Sequence, residues 1–314
     1  MRDELPSPGP SEATGHPRRK FLLGAAAAGG AAVVAGSAAI VAASRHPPAA
    51  APIARPAASQ SAVNAAKGVC AWKFPGVNQA LVDSGVSWYY TWSPGTAGIT
   101  APPGVQFVPM IWGAADVNSA ELSQVAQAGR VLLGFNEPDN PLQSKMTVAQ
   151  ALSLWPRLMA TGMMLGSPAV ARSANVPGSW LSQFMSGAMA RKYRVDFITA
   201  HWYGGNYSTA AAVSELEGYL KAIYARYGLP IWLTEYALGN EAANSYPTER
   251  QQAAFATAST SMLQTLPYLQ RYAWFALPYD KTFGNTGLYN SGPVATPVGL
   301  AYRAVAAHAG APGR

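Results

Sequence analysis

Short apolar runs alternate with longer amphipathic segments along the chain from Lys67 onwards. The runs show no strict alternation of apolar and polar positions, which is typical of strands that are buried on both faces of a parallel sheet. They are bounded by glycine, proline and polar residues and are short enough to be strands. The pattern predicts eight strands, at residues 68–72, 86–92, 105–112, 131–135, 163–167, 197–202, 230–235 and 272–277.

Segments with helical periodicity separate most of these strands. Residues 209–227 repeat apolar side chains every three or four positions, and Asn118 or Ser119 can cap a helix that ends near Gly129. The connection 93–104 is rich in proline and glycine, so it is predicted as an irregular loop. The other predicted helical segments are 77–81, 147–160, 180–193, 248–266 and 297–307.

The order and number of these elements indicate a fold. Eight strands that alternate with helices over about 245 residues match a (β/α)8 barrel in number and in size. An open, doubly wound sheet is the alternative, but it calls for a glycine-rich phosphate-binding turn after the first strand, and the residues after Trp72 do not form one. We therefore predict an α/β protein with a single (β/α)8 TIM barrel domain at residues 67–314.

The first 66 residues have a different character. Arg18, Arg19 and Lys20 precede a weakly apolar run rich in alanine and glycine, which resembles a bacterial twin-arginine export signal. Residues 1–43 are therefore predicted to be a signal peptide that is cleaved after Ala43, and residues 44–66 a flexible Pro/Ala-rich linker. An uncleaved membrane anchor is the alternative. Either way, the folded domain would lie outside the cytoplasm, and cleavage would make it a secreted protein.

Charge and composition argue against several functions. The formal net charge is +7, but part of it lies in the first 60 residues, and no run of lysine or arginine follows them. Phosphate binding needs such a basic stripe, so no nucleic-acid partner is expected. The four histidines are scattered without ligand spacing, and Cys70 is the only cysteine. Neither a metal nor another cofactor is predicted, and Cys70 is interpreted as a buried strand residue.

Residues capable of chemistry follow the ends of several predicted strands, where a (β/α)8 barrel has its active site. Glu137 follows the fourth strand and Glu235 ends the seventh, so two carboxylates can face each other across the barrel mouth. A glycosidase uses such a pair, with one group protonating the leaving oxygen and the other attacking the anomeric carbon. Candidate sugar contacts at the other strand ends are Trp92, Trp112, Asn136, His201, Trp202, Tyr203 and Trp274.

Three strings of sequence carry a family resemblance. They are Leu133-Gly134-Phe135-Asn136-Glu137-Pro138-Asp139, His201-Trp202-Tyr203 and Trp232-Leu233-Thr234-Glu235. Their order and spacing resemble glycoside hydrolase family 128, the Asl-like β-1,3-glucanases, within the clan of retaining (β/α)8 glycosidases. The resemblance covers the chain from about Lys67 to its end.

The resemblance implies a role for each matching residue. Glu137 would be the acid/base and Glu235 the nucleophile. Asn136 would bind the sugar 2-hydroxyl, His201 and Tyr203 would line the site, and Trp274 would be a platform for a sugar ring. The wider clan has an arginine near the end of an early strand, and none is evident here. The group that orients Glu235 therefore stays open, with Tyr203 and His201 as candidates.

The residues and the family resemblance together predict a monomeric, secreted enzyme that acts with retention, and the resemblance implies β-1,3-glucan as the substrate and cleavage of its interior bonds. A retaining enzyme holds its two carboxyl groups roughly 5–5.5 Å apart. Three alternatives stay open: a non-catalytic glucan-binding or wall-associated protein on the same scaffold, a transglycosylase, and an enzyme for another β-linked polysaccharide.

Overall fold

The computed structural model describes residues 66–240 and 245–306. The predicted signal peptide and all but the last residue of the predicted linker lie outside the described residues. Eight parallel strands form the centre of the domain: β1 (Ala66–Cys70), β2 (Trp88–Tyr90), β3 (Gln106–Phe107), β4 (Val131–Leu132), β5 (Met164–Leu165), β6 (Ile198–Gly204), β7 (Ile231–Leu238) and β8 (Leu269–Trp274).

The eight strands close into a ring. Six of them form one sheet in the order β3-β2-β1-β8-β7-β6, and β4 pairs with β5. Two parallel bridges join these parts, between Met110 and Leu133 on one side and between Gly166 and Phe197 on the other. The predicted (β/α)8 barrel is therefore confirmed, and β3, β4 and β5 are shorter than the apolar runs that contain them because their ring contacts continue as single bridges.

Seven α-helices of the described residues surround the ring, and none lies between β2 and β3, where the sequence predicts an irregular loop. Asn118 caps the second helix by accepting hydrogen bonds from the amides of Ala120 and Glu121. Among the described residues, no helix combines the length and the apolar character that crossing a membrane requires. The helices are α1 (Val77–Asp83), α2 (Ser119–Ala128), α3 (Val148–Met159), α4 (Trp180–Ala190), α5 (Thr209–Tyr227), α6 (Glu249–Leu263) and α7 (Pro297–Ala304).

The core has two parts, which follow from the two faces of each strand. Outward-facing residues pack with the helices in a large cluster that is mostly aliphatic. Inward-facing residues fill the barrel with an unusual share of aromatic rings, including Trp88, Tyr90, Trp232 and Phe275. The structure also contains an element that the sequence did not predict: the connection after β8 forms a short hairpin of β9 (Tyr289–Ser291) and β10 (Val294–Ala295).

Gly134 marks a point where the β4 and β5 backbones approach closely. A Cβ atom at this position would lie 2.8 Å from the carbonyl oxygen of Gly166 and 2.9 Å from that of Ser167. We expect Gly134→Ala to lower the free energy of unfolding by about 1–3 kcal/mol, the usual cost of overpacking a core. Urea unfolding followed by circular dichroism measures this change.

Gly218 provides the matched control, because it lies exposed in α5 with no atom near its missing side chain. Gly218→Ala should stabilise the protein by about 0.4–1 kcal/mol through the unfolded state. Equal stability of Gly134→Ala and the wild type would contradict the close approach of the two backbones.

Candidate active site

Three predicted site residues meet at the carboxyl ends of the strands. Glu137 follows β4, His201 lies in β6 and Glu235 lies in β7. All three are buried, with relative exposures of 3%, 1% and 4%. Polar groups that are this deeply buried need hydrogen-bond partners, so the contacts around them define the site.

An irregularity between β6 and β7 brings His201 and Glu235 to the same level. Ala200 pairs with Leu233 but the next residue, His201, pairs with Glu235, so Thr234 is an extra residue in β7. Such a β-bulge re-aims the side chains that follow it. Without the extra residue, His201 would pair with Thr234, and Glu235 would point to the other face of the sheet.

Glu137 takes up a backbone conformation that is uncommon for a non-glycine residue, with φ at 41°. Its amide donates to the carbonyl oxygen of Ala169 at 2.7 Å, and the amide of Asn136 donates to that of Trp112 at 2.9 Å. The two neighbouring strand ends thus hold the turn from both sides. Strained backbone of this kind persists only where surrounding contacts enforce it, and it concentrates at functional sites.

The two oxygens of the Glu137 carboxyl group have different partners. Oε1 lies 3.0 Å from Nδ1 of His201, and Oε2 accepts a hydrogen bond of 2.9 Å from the side-chain amide of Asn140. Asn140 is itself buried, and its own Oδ1 accepts from the Leu142 amide. The side chain of Glu137 is therefore fixed by β6 and by the turn that follows β4.

Glu235 is surrounded by hydrogen-bond donors. The hydroxyl of Tyr203 donates to its Oε2 at 2.5 Å. The indole N–H of Trp92 and the hydroxyl of Tyr90 donate to its Oε1 at 2.7 and 3.0 Å. Nε2 of His201 lies 3.5 Å from the same oxygen. Glu235 is therefore oriented by Tyr203 of β6, as predicted for this residue, and also by Tyr90 and Trp92, which lie at the end of β2 and just after it.

Burial and neighbouring charges change the acidity of Glu235 and of His201. Burial raises the pKa of Glu235, and the nearby charge of Glu137 raises it further. The charge of His201 and the hydrogen bonds from Tyr203 and Trp92 lower it, but the net shift of this pKa is upward. Burial by itself lowers the pKa of His201, but the charges of Glu235 and Glu137 outweigh it, so this pKa also lies above its usual value. This upward shift favours the charged form of His201, which lies beside Glu235.

One oxygen of Glu137, one nitrogen of His201 and one oxygen of Glu235 all lie within 4.8 Å of one another. Inverting glycosidases separate their two carboxyl groups by roughly 6.5–9.5 Å to admit a water molecule. The close approach of the carboxylates here agrees with the spacing predicted for a retaining enzyme.

The same three side chains form the one group in the described part of the chain that could hold a metal ion. The imidazole turns Nδ1 towards one carboxylate and Nε2 towards the other. The two ring nitrogens thus face different carboxylates, whereas metal ligands must direct their lone pairs at one common point. The absence of a metal stays a prediction from the sequence.

A cavity of about 370 Å³ opens next to Glu137. Among the predicted sugar contacts, His201, Trp202 and Tyr203 line it. The ring of Trp202 also stacks on Phe255, at a centroid distance of 5.6 Å, so its position is fixed from behind. Residues of the cavity wall that the sequence did not single out include Arg172, Asn175, Tyr219, Asn240, Tyr246 and Phe283.

Asn136 and Trp112 lie beside the cavity. Asn136 is buried, and its amide nitrogen lies 3.4 Å from Oε1 of Gln143. Its Oδ1 has no hydrogen-bond partner within the described residues. A buried acceptor of this kind calls for a partner, and a sugar hydroxyl would supply one. Trp112 is partly exposed, in contact with the Asn136 backbone.

The prediction for Trp274 needs correction. Its side chain is fully buried, and its indole N–H donates to the carbonyl oxygen of Thr286. The ring packs against Tyr236 and Tyr302, in the layer between the barrel and the helices. The residue after it, Phe275, faces the barrel interior instead. Because successive strand residues point to opposite faces, the eighth strand presents Phe275 rather than Trp274 to the site.

The prediction for Trp92 also changes. Only 5% of the residue is exposed, and its polar edge contacts Glu235, so it offers no open face for stacking on a sugar ring. Trp72, which is more exposed, packs on Trp92 at a centroid distance of 6.2 Å. Trp92 is thus a partner of the carboxylate.

Sequence reasoning missed two direct partners of the glutamates, Tyr90 and Asn140. The period of two along a strand places Tyr90 on the same face as Trp92, which was a usable signal. Asn140 follows Glu137 by three residues inside a turn, and residues of this type usually serve the turn itself. No pattern in the sequence distinguishes the two uses.

Comparison with known proteins supports the fold and places the chain among glycoside hydrolases. Residues 69–302 match the family described as "Glycosyl hydrolase catalytic core". The chain is 52% identical to a family 128, subgroup I, endo-β-1,3-glucanase from Amycolatopsis mediterranei solved in complex with laminaritriose, covering 76% of this chain and 98% of that one, with a TM-score of 0.73. It is 27% identical to a subgroup II endo-β-1,3-glucanase from Sorangium cellulosum, covering 78% and 100%, with a TM-score of 0.65.

A curated relative differs in size. The chain is 32% identical over 237 residues to "Alkali-sensitive linkage protein 1" of Schizosaccharomyces pombe. The match covers 72% of this chain but spans only 42% of the length of that relative. The similarity therefore concerns the barrel domain.

Proposed function

The chain belongs to glycoside hydrolase family 128, whose members share the glycosyl hydrolase catalytic core, and from this premise we propose that it is an endo-acting β-1,3-glucanase that hydrolyses its substrate with retention. The observation that carries the proposal is the pair of buried glutamates at the barrel mouth, with carboxylate oxygens within 4.8 Å of each other. The bound laminaritriose of the Amycolatopsis enzyme supports the β-1,3 linkage.

Two displacements follow from the geometry. In the first, Glu235 attacks the anomeric carbon while Glu137 transfers its proton to the departing glycosidic oxygen, which leaves a covalent glycosyl-enzyme. In the second, Glu137 removes a proton from water as that water attacks the same carbon, and Glu235 is released. His201 contacts both carboxyl groups, so its charge compensates for the negative charge that alternates between them.

The stereochemistry of the first product tests retention. We expect proton NMR of a laminarihexaose digest to show the β-anomer of the new reducing end first, with the α-anomer appearing only through mutarotation. Initial release of the α-anomer would show inversion and contradict the close carboxylate pair.

A panel of polysaccharides tests the substrate. Laminarin and curdlan should be cleaved to a series of oligosaccharides, whereas cellulose, mannan and galactan should not be cleaved. Release of glucose alone would indicate exo action. Binding of laminarin without any product would indicate a non-catalytic glucan-binding protein, and products longer than the substrate would indicate transglycosylation.

The place of action is part of the proposal. Arg18 and Arg19 before the apolar run support export of the domain, after which it would act on extracellular glucan. Fusion of residues 1–66 to a reporter protein and fractionation of the cells would test export, with Arg18→Lys and Arg19→Lys together as the variant that should retain the reporter in the cytoplasm.

A further inference from the structure

The carboxylate of Glu235 is held mainly by uncharged groups. Tyr90, Trp92 and Tyr203 each place a donor within 3.0 Å of one of its oxygens. In the part of the chain that the structure describes, its one ion-pair partner is His201, at 3.5 Å. Hydrogen bonds to the charged form of a carboxylate favour that form, so these donors supply stabilisation that a lysine or arginine would otherwise give.

Strand β2 supplies two of the donors. Tyr90 ends the strand, and Trp92 follows with φ at 53°, in the left-handed region that a bulky residue rarely adopts. The indole is almost wholly buried, and its N–H lies 2.7 Å from Oε1 of Glu235. A conformation that costs free energy but brings a donor to a buried carboxylate points to a role at the site.

The hydroxyl of Tyr90 has one proton and two acceptors in reach: Oε1 of Glu235 at 3.0 Å and the carbonyl oxygen of Thr234 at 3.1 Å. Sγ of Cys70 lies 3.2 Å from the same carbonyl oxygen and 3.6 Å from the Tyr90 hydroxyl. The thiol can donate to the Thr234 carbonyl, so this buried acceptor keeps a hydrogen bond when the Tyr90 proton is directed at Glu235.

The donors are distributed unequally between the two oxygens of Glu235. Oε1 faces Tyr90, Trp92 and His201, whereas Oε2 faces Tyr203 alone. An ionised carboxylate has about four lone-pair positions, two on each oxygen. The hydrogen bonds from Tyr90 and Trp92 fill both positions of Oε1, while Nε2 of His201 approaches this oxygen without a hydrogen bond. Oε2 keeps one position free for a new bond.

We propose that Tyr90 and Trp92 are positioning residues that bind Oε1 of Glu235 in its ionised form and leave Oε2 as the atom that attacks the anomeric carbon. This inference rests on the proposed function for the identity of the nucleophile. It assigns a task to Tyr90, at the end of β2, and to Trp92, which follows that strand, and both touch the carboxylate without lining the cavity.

The pH dependence of kcat/KM on laminarihexaose tests the proposal in Tyr90→Phe and Trp92→Phe. Each change removes one donor and keeps an aromatic ring. Loss of a donor disfavours the carboxylate, so its pKa rises and the acidic limb of the profile moves to higher pH. We expect a shift of about one unit and a loss of about tenfold or more in kcat/KM below neutral pH, the scale of a hydrogen bond to a charged group.

Matched controls come from the same strand. The hydroxyl of Tyr89 is buried without a hydrogen-bond partner in the described residues, and the indole of Trp88 donates to the Ala66 carbonyl at the opposite end of the barrel. Tyr89→Phe and Trp88→Phe should leave the acidic limb in place, whatever they do to thermal stability. If the acidic limb of the pH profile stays in place in Tyr90→Phe and Trp92→Phe, or shifts equally in the two controls, the proposal is overturned.

A direct titration separates this proposal from the proposed function. Carbon-13 NMR of the glutamate carboxyl groups, with the signal of Glu235 identified by its loss in Glu235→Gln, measures the pKa without any turnover. The other groups that face Glu235 are Cys70, Glu137, His201 and Tyr203, and they are unchanged in the variants. A raised pKa in Tyr90→Phe and Trp92→Phe in a protein without glucanase activity would support the positioning role and overturn the function. An unchanged pKa would overturn the positioning role, even in an active glucanase.

Discussion

Replacement of Glu235 by glutamine is expected to reduce the hydrolysis of laminarin by about four to six orders of magnitude, the scale seen when a hydrolase loses its nucleophile. The amide has nearly the same shape but cannot form the covalent bond to the anomeric carbon. Initial rates of reducing-sugar release measure the loss. Calorimetric titration with laminarihexaose should show that the variant still binds the sugar.

Two further variants make this expectation specific. Glu217 lies exposed on α5, so Glu217→Gln should retain full activity. In Glu235→Gly, the space left by the side chain admits azide, which should attack an activated aryl β-laminaritrioside from the vacated side and give the α-glycosyl azide. Substantial turnover by Glu235→Gln would remove Glu235 from the mechanism, and with it the family's double displacement in this chain.

The fold could be predicted from the sequence because its signals are local. Apolar runs mark the strands, and Asn118 marks the start of α2. The prolines and glycines of 93–104 mark the connection between β2 and β3 that contains no helix. Strand lengths could not be predicted, since pairing in β4 and β5 breaks into single bridges that depend on the curvature of the closed ring. The hairpin of β9 and β10 was missed because its strands are short and mostly exposed.

The site was predictable only where one residue type carries the chemistry. Glu137, His201 and Glu235 stand out as polar groups at the ends of apolar runs, and the structure brings them together. The pairing register of β6 and β7 that places His201 beside Glu235 depends on the extra residue Thr234 in β7. Such a bulge cannot be recognised from composition or periodicity. Trp274 was misplaced for a related reason: the choice between the two faces of β8 is made by register.

Glu137 should show a different pattern of loss. Glu137→Ala removes the proton donor, so we expect hydrolysis of laminarin to fall by about 10²–10⁴-fold, the usual contribution of general acid–base catalysis. A dinitrophenyl β-laminaritrioside has a leaving group that departs without protonation, and Glu235 should still be able to attack it. The second step needs Glu137 as base, so the glycosyl-enzyme should accumulate, visible as a burst of dinitrophenolate and as an added mass on the intact protein.

Azide then distinguishes the roles of the two glutamates. It needs no base, and in Glu137→Ala it should attack the accumulated intermediate from the side where water normally enters, restore turnover and give the β-glycosyl azide. Glu137→Gln is the matched control, because its amide can keep a contact with His201 or Asn140 and leaves no space for the anion, so azide should restore little activity. An α-glycosyl azide from Glu137→Ala would mean that the two carboxylates have exchanged tasks. His201 contacts both carboxyl groups, so the charge of the site would allow that exchange. The hydrogen bonds distinguish the two glutamates. Oε2 of Glu235 has a single donor, whereas each oxygen of Glu137 already has a partner.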